Sequence, residues 1–115
     1  MTPGECAKID FGAALRRLPG PLGEHNVVVF EHGSLVIKLS QLRVVDRQQP
    51  HSRDEIYFVA QGSGEFVSGA SRQSFAPKDV LFAAAGIEHR FENFSEDLAV
   101  WVIFFGPEGG EADQG

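Results

Sequence analysis

A chain of 115 residues, 43% hydrophobic and with 10 Phe, has the length of one domain and the composition of a packed core, which excludes a disordered chain. Its 16 acidic and 10 basic residues leave a net charge of −6 with no Lys/Arg cluster, which argues against nucleic acid and against an anionic membrane surface as partners. The single Cys6 cannot form an internal disulfide and suits a reducing compartment. The first residues, MTPGECAKIDFGAALRRL, show no basic stretch followed by an apolar one. The longest apolar run, Leu98–Phe105, is too short to span a bilayer as a helix, and a cytoplasmic location is expected.

In chain order, residues 1–25 are the least patterned and read as an irregular or helical arm. Phe11–Leu18 has room for two helical turns, stopped by Pro19-Gly20-Pro21. A series of short strands follows. Val27–Phe30 is the first and Leu35–Leu39 the second, with His32-Gly33 as the turn between them. Leu42–Val45 reads as a third and Glu55–Ala60 as a fourth, closed by Gly62-Ser63-Gly64. Glu65–Val67 is expected to pair with Arg72–Phe75 across Gly69. Pro77-Lys78-Asp79 forms a turn before Val80–Phe82, and Gly86 opens another before the alternating segment His89–Phe94. Leu98–Phe105 is apolar throughout, the mark of a strand buried on both faces. The Gly/Glu-rich stretch 107–115 reads as a flexible tail. Many short strands with glycine turns predict an all-β sandwich or barrel over residues 26–106.

One stretch carries chemistry. In QQPHSRDEIYFVAQGSGEF, His51 precedes Glu55 by an even step, so an extended segment places both on one face, continued by Tyr57 and Val59. His89 begins a second alternating segment whose same-face partners are Phe91 and Asn93. If the two strands meet, two imidazoles and one carboxylate converge. That donor set holds one side of a divalent ion, iron, zinc, manganese or nickel, and leaves its other positions open.

At these residues the chain resembles a small single-domain cupin. The first cupin motif, G-x5-H-x-H-x3,4-E-x6-G, is matched at its second histidine by His51, at its glutamate by Glu55 and at its closing glycine by Gly62. The second motif, G-x5-P-x-G-x2-H-x3-N, is matched by Gly86, His89 and Asn93. The resemblance covers about residues 34–106. It implies a double-stranded β-helix, or jelly roll, with a ligand cavity inside, one bound divalent metal ion, a small-molecule ligand and a homodimer.

The sequence departs from the motifs at four positions. Arg43 and Lys78 replace opening glycines and Ala84 replaces the proline, which are changes of turn chemistry. Gln49 stands where the first histidine is expected. Its amide oxygen is a weaker, neutral donor that could ligate the metal, hold a water or contact substrate.

Plainer roles compete at each position. His51 could be a surface-turn histidine after Pro50, and Glu55 the ion-pair partner of Arg53. Asp54 should point away from Glu55 and be structural, and His25 and His32 solvated near turns. Arg47, Arg53 and Arg90 could bind a carboxylate or phosphate, or be ion-paired. Tyr57, Phe91 and Trp101 are cavity wall or core, and Asn93 a cavity residue or a turn-side hydrogen bonder. The functional expectation is a metal-binding cupin acting as a dioxygenase or isomerase on a small organic acid or carbonyl compound. A non-catalytic ligand-binding module and a metal-free jelly roll with a role in assembly are the alternatives.

Overall fold

The computed structural model describes residues 6–42 and 50–112. The order of elements is helix α1 (Phe11–Leu15), then strands β1 (Asn26–His32), β2 (Leu35–Gln41), β3 (Asp54–Gln61), β4 (Gly64–Ser68), β5 (Ser71–Phe75), β6 (Val80–Ala83), β7 (His89–Glu92) and β8 (Ala99–Phe105). The expected strand at Leu42–Val45 falls outside the described residues beyond Leu42, which is itself in no strand.

The strands form two antiparallel sheets, one of order β1-β2-β8-β3-β6 and one of order β5-β4-β7. The all-β jelly-roll architecture with a short helical arm is therefore what the sequence predicts. β4 and β5 pair from Gly64↔Phe75 to Ser68↔Ser71, across the expected turn at Gly69. β8 lies between β2 and β3 and pairs with both, which accounts for its uninterrupted apolar sequence.

Alternation divides the buried residues into two cores. Tyr57, Val59, Val100 and Val102 of the larger sheet meet Phe66, Phe75 and Phe91 of the smaller one, and Leu98 completes this interior at 0% exposure. On the other side of the larger sheet, Leu39 and Ala99 pack against Ala14, with Phe11, Leu15, Leu18 and Trp101 around them. α1 exists to cover that second surface. The Asp10 side chain caps it by accepting from the Ala13 N–H at 2.7 Å, and the segment beyond Leu15 continues as a turn, not as a second helical turn. Phe11 meets Trp101 edge to face with ring centroids 5.9 Å apart.

The two sheets do not close on each other between β5 and β6. A groove of about 500 Å³ runs there, lined by Phe66, Gln73, Asp79 and Leu81 among others. Residues 107–112, expected to fray, are tied back onto the start of β3. The Gly109 N–H donates to the Ser52 carbonyl at 2.6 Å and the Glu111 N–H to Asp54 Oδ2 at 2.9 Å. Among the described residues, no helix is long and apolar enough to cross a membrane.

Candidate metal centre

Among the described residues, one group of three metal-ligating side chains converges: His51, Glu55 and His89, with one ligand atom from each lying within 4.8 Å of the others. Glu55 is the second residue of β3 and points into the interior with Tyr57 and Val59 below it. His89 is the first residue of β7, in the opposite sheet, and shares its inward face with Phe91. His51 lies before β3, in an irregular segment that bends at Ser52 and Arg53. It therefore reaches Glu55 by that bend and not by the alternation of an extended strand.

Glu55 Oε1 is 2.9 Å from His89 Nε2 and 3.9 Å from His51 Nε2. Glu55 and His89 are each 1% exposed, whereas the His51 side chain is 37% exposed and forms the open side of the group. His89 Nδ1 is 2.9 Å from the carbonyl of Ile87. A carbonyl only accepts, so that contact places the ring proton on Nδ1 and turns the Nε2 lone pair toward Glu55. A carboxylate oxygen and an imidazole lone pair then face each other in a dry interior. Glu55 Oε1 is buried without a hydrogen bond of good geometry. This is the arrangement a divalent cation satisfies, and a carboxylate with two neutral imidazoles suits iron, zinc, manganese or nickel.

The surroundings are aromatic. Tyr57 lies 6.0 Å from the His89 ring and 5.0 Å from Phe91, centroid to centroid, and Phe66 lies 6.0 Å from His89. These rings fill the space below the three ligands. Tyr57 and Phe91 are thus both wall and core. Above them Phe104 packs edge to face on His51, with centroids 5.0 Å apart. A cavity of about 260 Å³ opens there, lined by Val36, Lys38, His51, Ser52, Arg53 and Phe104. The larger groove between β5 and β6 contains none of the three ligands.

Two expected cavity residues lie elsewhere. Trp101 is on the outer face of β8, against α1, because Val100, Val102 and Phe104 take the inner face and period two sends Trp101 the other way. Asn93 follows the end of β7 with a φ of 50°, so the alternation stops before it. Its Nδ2 donates to Glu65 Oε1 at 2.6 Å, the turn-side role. Gln49 and Arg47 lie outside the described residues. Arg90 is paired with Glu92, and Arg53 donates to the Ser34 carbonyl instead of pairing with Glu55.

Asp54 fixes the frame around the site. Its Oδ1 accepts from the Ala85 N–H and its Oδ2 from the Glu111 N–H, each at 2.9 Å. The Glu111 and Ala85 N–H groups, in that order, hold its carboxyl below the usual carboxylate value, against the opposing effect of burial. The next loop residue, Gly86, donates its N–H to the His51 carbonyl at 2.7 Å. The segments carrying His51 and His89 are thereby held in register. Sequence reasoning missed Phe104 and Lys38 as lining residues. A lone charge inside the apolar run LVIKL was the available signal for Lys38.

Residues 41–105 match the family model described as "Cupin domain". An uncharacterized protein of Streptomyces coelicolor is 41% identical over 63 residues, covering 55% of this chain and 60% of that one, so the match spans less than two thirds of the relative. Among solved structures, a cupin-2 domain-containing protein from Shewanella frigidimarina superposes with a TM-score of 0.67 at 16% identity, covering 83% of this chain and 91% of that one. A protein from Neisseria meningitidis superposes with a TM-score of 0.69 at 14% identity, covering 87% and 100%. At these identities the structural likenesses speak for the fold alone.

Proposed function

The chain belongs to the cupin family, and from that premise we propose that His51, Glu55 and His89 hold one divalent metal ion at the mouth of the barrel, where the protein acts on a small molecule as a metalloenzyme of the dioxygenase or isomerase type. The observation that supports this most is the convergence of three ligand atoms, two of them in fully buried side chains, from segments far apart in the sequence. Isolated surface histidines do not place themselves in this way.

A divalent ion held there supplies Lewis-acid polarisation of a substrate oxygen. The protein's own residues do the rest. The contact of His89 Nδ1 with the Ile87 carbonyl fixes the tautomer that offers Nε2. Tyr57, Phe66 and Phe91 keep water from the inner side. His51 faces the opening, so a ligand arrives from the side of Phe104 and Ser52. Three protein ligands leave positions open, as a catalytic site needs and a closed structural site does not. The homodimer expected from the family resemblance belongs to the same proposal, and light scattering tests it.

The test is elemental analysis of protein purified without a histidine tag and reconstituted with iron, zinc, manganese or nickel. Wild type should carry about one ion per chain, and His51→Ala and His89→Ala should carry none. Gln49→His should tighten binding, because it restores the histidine of the first motif. A wild type that takes up none of the four metals, or histidine variants that keep full metal content, would end this reading.

A further inference from the structure

We propose that the ligand of this site is a small organic anion, held through a carboxylate by Lys38 and Arg53 at the rim of the cavity. The inference rests on the metal-centre reading for where the other end of the ligand lies, and it chooses between the organic acid and the neutral carbonyl compound that the sequence left open.

Charge is the first argument. The chain has 16 acidic residues and 10 basic ones. A cavity wall drawn from such a surface should be acidic on average. The lining Val36, Lys38, His51, Ser52, Arg53, Phe104 instead has two permanent cations, one imidazole and no carboxylate. Among the described residues, neither Lys38 nor Arg53 belongs to an ion pair, although Arg72 and Arg90 are both paired with glutamates. Among the described residues, both cations that line the cavity thus stand outside the ion pairs.

Position is the second argument. Lys38 sits on β2 opposite Val102 of β8, a residue of the inner core, while its neighbour Leu39 faces the outer core beneath α1. Lys38 therefore projects on the cavity side of the sheet. Its Nζ lies over the Phe104 ring, 5.5 Å from the centroid, within the cavity lining. His51 touches the same ring, with centroids 5.0 Å apart. Phe104 thus forms a floor shared by the ammonium and the proposed metal ligand. Arg53 is anchored by donation from Nη1 to the Ser34 carbonyl. One such bond leaves the rest of the five guanidinium N–H donors for a carboxylate.

Size is the third. A volume of about 260 Å³ is room for roughly eight or nine water-sized groups. That suits a short mono- or dicarboxylic acid, and a neutral carbonyl compound there would leave both cations unanswered.

Binding is tested on metal-free protein by calorimetry with acetate, malonate and succinate, and with acetamide, malonamide and succinamide as uncharged counterparts. At least one acid should bind and its amide should not. Lys38→Met and Arg53→Gln should each weaken that acid by about tenfold, and added salt should weaken it in wild type. Both variants should keep the metal content of wild type. The proposal is overturned if none of the acids binds, if acid and amide bind alike, or if both cation variants bind the acid as wild type does. A wild type that takes up no metal overturns the metal-centre reading instead, and the acid measurements are read separately.

Discussion

Glu55 Oε1 stands 2.9 Å from His89 Nε2, with both side chains 1% exposed and contributed by opposite sheets. Two lone pairs cannot rest at that distance in a dry interior, so a positive charge belongs between them, either a proton or a metal ion. Metal uptake should therefore release protons. Calorimetry in buffers of different ionisation enthalpy should show a buffer-dependent heat, and affinity should fall on acidification. His89→Ala removes one member of a buried pair and should cost about 3–5 kcal/mol in the metal-free protein. Its melting temperature should also stop responding to added metal, whereas that of wild type rises.

Gly62 and Gly86 belong to the two motifs, have similar φ angles of +93° and +77°, and should respond differently to alanine. A Cβ on Gly62 would sit 2.6 Å from Leu98 Cα and 3.0 Å from Leu98 N, both backbone atoms beside the fully buried Leu98. A Cβ on Gly86 would meet nothing within 4 Å. Gly86→Ala should cost about 1 kcal/mol, the strain of the left-handed region alone. Gly62→Ala should cost at least about 2 kcal/mol, because the backbone must also move. Thermal melts that show equal losses would contradict this account.

Asp54 makes stability depend on acid. Its carboxyl is held below the usual value by the Glu111 and Ala85 N–H groups. A depressed folded value means that the stabilisation is fully present above the unfolded carboxylate value, about 3.9, and is lost as pH falls through the folded value. Asp54→Ala should therefore melt below wild type at pH 6, with the gap narrowing below about pH 4. Amide exchange should show Gly109 and Glu111 exposed first in the variant.

Trp101→Ala should leave the metal in place. Its ring packs on Phe11 at the outer face of β8, on the far side of the sheet from Glu55. The expected cost is about 2–3 kcal/mol, less than for a fully buried aromatic. Trp101 is the chain's single tryptophan, so Phe11→Ala should shift its emission to the red as α1 loosens. A loss of metal in Trp101→Ala would show that the two cores are coupled.

The sequence made the strands legible because turn residues punctuate them and because β3 and β7 alternate cleanly at Glu55, Tyr57, Val59 and at His89, Phe91. Glu55 and His89 were legible as candidate ligands for the same reason. The side of β8 on which Trp101 falls was not: a strand apolar on both faces has no alternation to read. Asn93 continued the pattern on paper, but a positive φ ends the strand one residue earlier. His51 comes to Glu55 through the bend at Ser52 and not through the register that the sequence argument used. Arg53 was a candidate carboxylate binder and Lys38 stood out as a lone charge, but their joining into one rim was not legible, since Lys38 and Phe104 come together only when β2 pairs with β8.

The placement of β8 also has a bearing on how the molecule is made. β2 and β3 do not pair with each other; β8, the last of the described strands, lies between them. A ribosome delivers the other seven described strands before the one that joins the halves of the larger sheet. Until Ala99–Phe105 emerges, the inner edges of β2 and β3 stay open to other nascent chains, and the carboxylate and imidazoles of the site have no common framework. Assembly of the sheet and completion of the metal centre are then a single late event, and a chain stopped before Ala99 would lack both.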